Sequence, residues 1–165
     1  ASAKKYLPEI ADALTDPKVE VRVEDGIAYL QQCQNKYDVI IVDSTEPVGP
    51  AIGLFSQEFY ESVHRALRPD GILVAQTESP FFNQDILLQA YRGMKAVFAK
   101  TVTYLANVPT YPSGLWSFTL ASKQYDPLSD PRRPGSGFTS RYYTPELHGA
   151  CFALPKFVRD ILGGA

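Results

Sequence analysis

The sequence predicts an α/β fold whose largely parallel sheet ends in an antiparallel hairpin, and three observations predict it. Strand-like and helix-like segments alternate along the chain. Two strand-like runs, "YDVIIVD" (37–43) and "ILVAQT" (72–77), are continuously apolar, as strands buried on both faces of a parallel sheet are. Two later strand patterns, "TVTYLANV" (101–108) and "LWSFTLAS" (115–122), are joined only by "PTYPSG", too short for a crossover helix.

In chain order, "ASAKKYLPEIADAL" (1–14) has a helical pattern from its first residue, with no initiating methionine and no strand before it. "VEVRV" (19–23) places three valines on one face and Glu20 and Arg22 on the other, the period-2 signature of a strand, and Asp25-Gly26 follows as a turn. "GIAYLQQC" reads as a short helix leading into the strand 37–43. A helix is expected over 56–67, where Phe59, Tyr60, Val63, Ala66 and Leu67 recur at helical spacing behind Ser56 as N-cap, and "RPDG" stops it. After the strand 72–77 come a loop, "ESPFFN", and a helix over 84–98. Proline and glycine make 125–137 a surface loop. The tail has helix starts at Thr144-Pro145 and Leu154-Pro155, each with proline in the first turn, where its missing N–H costs nothing.

The 165 residues, 45% hydrophobic and 12% aromatic, suffice for one domain. Sixteen basic and 18 acidic residues, a net charge of −2 without long runs of one sign, leave no basic surface for a phosphate backbone, so nucleic acid is not an expected partner. No apolar run approaches the roughly 20 residues a membrane helix needs, and the expectation is a soluble, cytoplasmic protein. Cys33 and Cys151 are far apart, without metal-ligand spacing, and are expected as buried, reduced thiols; His64 and His148 are isolated.

In open α/β sheets, ligands bind beyond the carboxyl ends of the strands. Four places there carry chemistry: Asp25-Gly26, the segment 43–46, the segment 76–78, and "PTYPSG" with Tyr111. Singly, each has a plain structural explanation, Asp25 as a helix cap and Asp43 as a turn residue. Together, Asp43, Glu46, Gln76 and Tyr111 would face one crevice with no lysine or arginine in their own motifs. Buried charge needs a partner, so the crevice calls for a divalent metal or an organic amine. Two carboxylates supply few oxygens for a metal and no imidazole is near in sequence, whereas aromatic faces suit an ammonium group, so no metal site is expected.

The runs "YDVIIVDSTEPVGPA", "GILVAQTE", "VPTYPSGLW" and "YYTPELHGACFALPKFV" resemble the spermidine synthase family of polyamine aminopropyltransferases, in its bacterial form, over nearly the whole chain. The resemblance implies a Rossmann-like, methyltransferase-type sheet, and a chain that forms the C-terminal part, 1–165, of the catalytic domain. It also implies transfer of an aminopropyl group from decarboxylated S-adenosylmethionine, a co-substrate rather than a prosthetic group, to putrescine, giving spermidine and methylthioadenosine. By the same resemblance Asp43 is the catalytic base, and Asp43, Ser44, Thr45, Glu46, Gln76 and Tyr111 bind the amine. Asp25, Gly26, Pro50, Ala51 and Leu54 bind the nucleoside part of the donor. Some family members carry aspartate where Glu46 stands, which leaves the depth of the amine pocket open. The full-length form would be a homodimer or homotetramer.

Family members also have an N-terminal strand-rich domain, a glycine-rich nucleoside loop and an acidic ribose-binding strand end, none of which is in this sequence. The expectation is therefore an α/β sheet incomplete at the N-terminus, split between 19–23 and 37–42, with an open apolar edge on "DVIIV". Two other readings stay open: a non-catalytic binding or assembly module on this fold, and an aminopropyltransferase with another amine acceptor. A methyltransferase on the same sheet would need a site for the donor carboxylate, for which no residues are evident.

Overall fold

A computed structural model describes residues 2–45, 47–132 and 134–164. Strands β1 (Tyr37–Val42), β2 (Leu67–Gln76), β3 (Lys100–Asn107) and β4 (Leu115–Ser122) form one sheet in the order β1-β2-β4-β3. β1 and β2 are parallel, and β4 runs antiparallel to both of its neighbours. The hairpin folds inward, so β4 rather than β3 lies against β2.

Between β1 and β2 the crossover is α4 (Gln57–Ala66), which starts at Ser56, whose Oγ accepts from the Phe59 amide at 3.2 Å. Its stripe of Phe59, Tyr60, Val63 and Ala66 is buried, and packs with Leu73 and Ala75 of β2 in the main core. β2 begins directly at Leu67, paired with Tyr37, but the next pair is Val39 with Ile72. "RPDG" thus bulges out of the ladder, and Arg68 Nη1 holds the bulge to Asp38 by bonds of 2.7 and 2.8 Å.

Helix α5 (Gln84–Val97) buries Leu87, Ala90, Tyr91 and Met94. It comes close to α4 because Gly93 faces Tyr60: a Cβ at Gly93 would stand 2.7 Å from the tyrosine ring. At the C-terminus α7 (Lys156–Ile161) packs Val158 beside Leu87 and Tyr91. The shorter α6 (Pro145–Ala150) is capped by Thr144 and lies near the side of the hairpin that carries Tyr104 and Leu120, where it borders a cavity of about 230 Å³. α3 (Gly26–Gln31) adds Ile27 and Leu30 to the edge of the main core.

Several expectations are corrected. Residues 19–23 form no strand: the segment pairs with no other, and Val21 and Val23 are exposed. A period-2 pattern makes a strand only where a ladder partner exists, and the described residues offer none. The N-terminal helical pattern is broken into α1 (Ser2–Tyr6), α2 (Pro8–Ala11) and a 3₁₀ turn (Asp12–Thr15), with Pro8 at the start of α2. Pro155 is the N-cap of α7 rather than a residue inside its first turn. Cys33 is buried but Cys151 is only partly so, and both are free thiols. No described helix is long and apolar enough to cross a membrane.

Candidate active site

Because β1 and β2 are parallel and β4 is antiparallel to β2 and β3, the carboxyl ends of β1, β2 and β3 and the start of β4 share one edge of the sheet. Asp43, Ser44 and Thr45 leave β1 there, and Gln76 ends β2 beside them. The Gln76 side chain ties this edge together. Its Nε2 donates to the Ser44 carbonyl and to Glu78 Oε1, both at 3.0 Å, while its Oε1 accepts from the Glu78 amide. Gln76 is 9% exposed, so these bonds are shielded from water.

Asp43 is exposed. The ion pairs among the described residues join Arg22 to Glu20 and Glu24, Arg68 to Asp38, and Lys156 to Asp160; none uses Asp43. Ser44 Oγ, at the same edge, is buried with no hydrogen-bond partner among the described residues.

The connection after β3 consists of two proline-led turns. The Tyr111 amide donates to Val108 O at 3.0 Å, and the Gly114 amide to Tyr111 O at 3.0 Å, which puts Pro109 and Pro112 at the second turn positions. Ser113, at φ 70, takes the left-handed place in the second turn that glycine usually fills. Tyr111 leans on Trp116 with ring centroids 4.5 Å apart and remains 46% exposed. An aromatic face is thus presented at the shared edge.

Asp25 is the N-cap of α3: Oδ1 accepts from the amides of Ile27 at 2.9 Å and Ala28 at 3.2 Å. The structural explanation for Asp25 therefore holds, and both Asp25 and Gly26 are exposed. The 3₁₀ segment Gly49–Phe55 lies against the start of α3, since a Cβ at Gly53 would be 2.8 Å from Ile27 Cδ1. Leu54 packs against the main core, so it supports that segment more than it lines it. Glu46 and the Pro50 side chain lie outside the described residues.

One carboxylate absent from the expected site residues stands out. Glu78 is 1% exposed, carries a left-handed backbone at φ 69, and sits one hydrogen bond from Gln76. A carboxylate two places after an apolar strand was the available signal, but its burial was not readable from sequence. Cavities lie away from this edge, one of about 230 Å³ by Tyr104 and Phe152 and one of about 630 Å³ by Val39, Ile72 and Arg132. Among the described residues, no three His, Cys, Asp or Glu side chains gather as a metal site would require.

Residues 1–130 match the spermine/spermidine synthase domain. The chain belongs to that family. It is 55% identical over 162 residues to the polyamine aminopropyltransferase of Moorella thermoacetica, covering 98% of this chain and 57% of that protein. The polyamine aminopropyltransferase of Caldicellulosiruptor saccharolyticus is 53% identical, with 98% and 58% covered. Among solved structures, a spermidine synthase in complex with the transition state analogue AdoDATO superposes with a TM-score of 0.94 at 41% identity, over 99% of this chain and 57% of that one. Spermidine synthase from Thermotoga maritima gives 0.89 at 40% identity, over 98% and 55%. The chain thus spans somewhat over half the length of these relatives.

Proposed function

We propose that this chain carries the amine-activating half of a polyamine aminopropyltransferase site, with decarboxylated S-adenosylmethionine as donor and putrescine as acceptor. The observation that carries the reading is the placement of Asp43: exposed at the carboxyl end of β1, without an ion-pair partner among the described residues, and beside a buried Gln76–Glu78 unit. The family match and the relatives' names support the reaction class.

A primary amine with a pKa near that of lysine, about 10.4, arrives as ammonium and has no lone pair to attack with. Asp43 and the carboxylates near it attract that cation. As one amine nitrogen attacks the propyl carbon next to the sulfonium, the C–N bond forms, the C–S bond breaks, and its electron pair stays on sulfur, leaving methylthioadenosine. The nitrogen becomes far more acidic as the bond forms, and Asp43 accepts its proton and passes it to water. Sulfonium is already a good leaving group, so alignment is the main task, and orientation can supply about 7 to 11 kcal/mol. The proline-stiffened turns at Tyr111 and the Gly49–Phe55 segment serve as the walls, the latter with Asp25, Gly26 and Ala51 toward the nucleoside.

The test is an aminopropyl-transfer assay over a panel of amines, using the natural polypeptide that carries this chain, with Asp43→Asn alongside. Turnover is expected to fall by about 10²- to 10⁴-fold in the variant, the usual contribution of a positioned base. Near-normal turnover would remove Asp43 from its role. A parent that binds neither putrescine nor methylthioadenosine in calorimetry would favour a non-catalytic module.

A further inference from the structure

A row of four hydroxyls runs across the sheet, buried on the side that packs against α5. Thr77, Ser117 and Thr119 are 0% exposed and Thr103 is 4% exposed. Thr103 Oγ1 lies 3.0 Å from Thr119 Oγ1, Thr119 Oγ1 3.2 Å from Thr77 Oγ1, and Thr77 Oγ1 3.0 Å from Ser117 Oγ. Ser117 Oγ ends the row on two backbone carbonyls, Thr77 O at 2.8 Å and Glu78 O at 2.7 Å.

Valence fixes the direction of every proton. A carbonyl has no proton to give, so the single Ser117 hydroxyl proton goes to the carbonyls. Thr77 must then donate to Ser117, Thr119 to Thr77, and Thr103 to Thr119. The row is one head-to-tail relay of dipoles, each strengthening the next, and all of it converges on the Glu78 carbonyl. That oxygen also accepts from the Ser117 amide at 3.0 Å, while the Thr77 amide donates back to Ser117 O at 2.9 Å.

The residue so clamped is the strained one. Glu78 holds φ 69 without being glycine, a conformation that persists only where surrounding structure over-determines it, and such residues cluster at functional sites. Valine suits a buried strand position better than a hydroxyl does, so four hydroxyls in an otherwise apolar layer call for a reason beyond packing. Releasing the Glu78 carbonyl would let its backbone relax, and with it the carboxylate bonded to Gln76 beside Ser44 and Asp43.

We propose that Ser117, polarised through Thr77, Thr119 and Thr103, is a positioning residue that holds Glu78 in its left-handed conformation and so shapes the amine end of the site. The inference rests on the amine-site reading above, and its test separates the two. In the natural polypeptide that carries this chain, Ser117→Ala is expected to raise the KM for putrescine about tenfold, the effect of losing one hydrogen bond to a buried group, with the donor KM within about twofold of the parent. Thr119→Val, nearly isosteric, should raise it about threefold, and Thr119→Ser, which restores the hydroxyl, should return it to the parent value. Equal changes in both KM values, or none in Ser117→Ala, overturn the proposal.

A second measurement is independent of activity. The ¹³C resonance of the Glu78 carboxyl, identified by its loss in Glu78→Gln, is followed against pH in the parent and in Ser117→Ala. Its midpoint is expected to move in the variant. An unchanged midpoint overturns the positioning role even if the enzyme is active. A moved midpoint in a parent that transfers nothing to any amine keeps Ser117 as the clamp on Glu78 and sinks only the reading of what the site binds.

Discussion

The side-chain amide of Gln76 donates to the Ser44 carbonyl at 3.0 Å, so the end of β2 holds the backbone that leaves β1 just past Val42. One buried side chain on β2 thereby sets the path of the segment that begins with Asp43. Gln76→Leu keeps the volume but strands the Ser44 carbonyl and the Glu78 amide, at a cost of about 1 to 3 kcal/mol for a buried group left unpaired. A loss of about 2 kcal/mol is expected in urea unfolding. Asp43→Asn, at an exposed position, should change stability by less than about 0.5 kcal/mol.

Gly93 permits the close approach of α5 to α4. In Gly93→Ala the methyl group meets the Tyr60 ring at 2.7 Å, in a tyrosine that is 1% exposed. Overpacking costs about 1 to 3 kcal/mol, and the better helix propensity of alanine returns about 1. A net loss of about 1 kcal/mol is expected by thermal or urea unfolding. The same substitution in a Tyr60→Leu background should be neutral or stabilising; an equal loss in both backgrounds would mean that the ring is not the obstacle.

His64 lies edge-on to Phe98 with ring centroids 5.1 Å apart. Burial lowers its pKa below the ordinary 6.5, and the nearby Lys123 cation, whose Nζ donates to Leu67 O at 2.7 Å, lowers it further. The unfolded chain then binds the proton more readily than the folded one. Stability from this group is complete above the ordinary 6.5 and declines as pH falls from there toward the lower folded value. The thermal midpoint should drop on going from pH 7.5 to pH 5.5 by less in His64→Gln than in the parent. Identical pH profiles would contradict this.

β1 has no strand on its outer side among the described residues, and Val39 and Ile41 are 51% and 73% exposed. An open apolar edge of this kind recruits other chains. The 165-residue polypeptide is expected to associate with rising concentration in light scattering, and Ile41→Lys to reduce that association. Scattering that is independent of concentration in both forms would count against an adhesive edge.

Local chemistry was legible wherever it sufficed. The stripe of α4 behind Ser56, the α5 pattern and the short β3–β4 connection each carry their structure in neighbouring residues and formed as read, whereas the apolar run 37–42 formed a strand but not the expected one buried on both faces, since Val39 and Ile41 are exposed. Asp43 and Gln76 could be placed together because parallel strands bring their carboxyl ends to one edge. "VEVRV" is the counterexample: its alternation is as regular as any in the chain, yet a strand needs a ladder, and a ladder depends on what lies alongside.

By itself, then, the sequence determined most element types and which residues reach the carboxyl edge of the sheet, because helix and strand periods are properties of near neighbours. Only the tertiary structure decided that β4 lies inside β3, that Gly93 meets Tyr60, and that Glu78 is buried in a strained backbone under a row of hydroxyls from three segments. Those outcomes turn on contacts between residues 33 to 50 positions apart, from Tyr60 with Gly93 to Ile72 with Ser122, which no local pattern encodes.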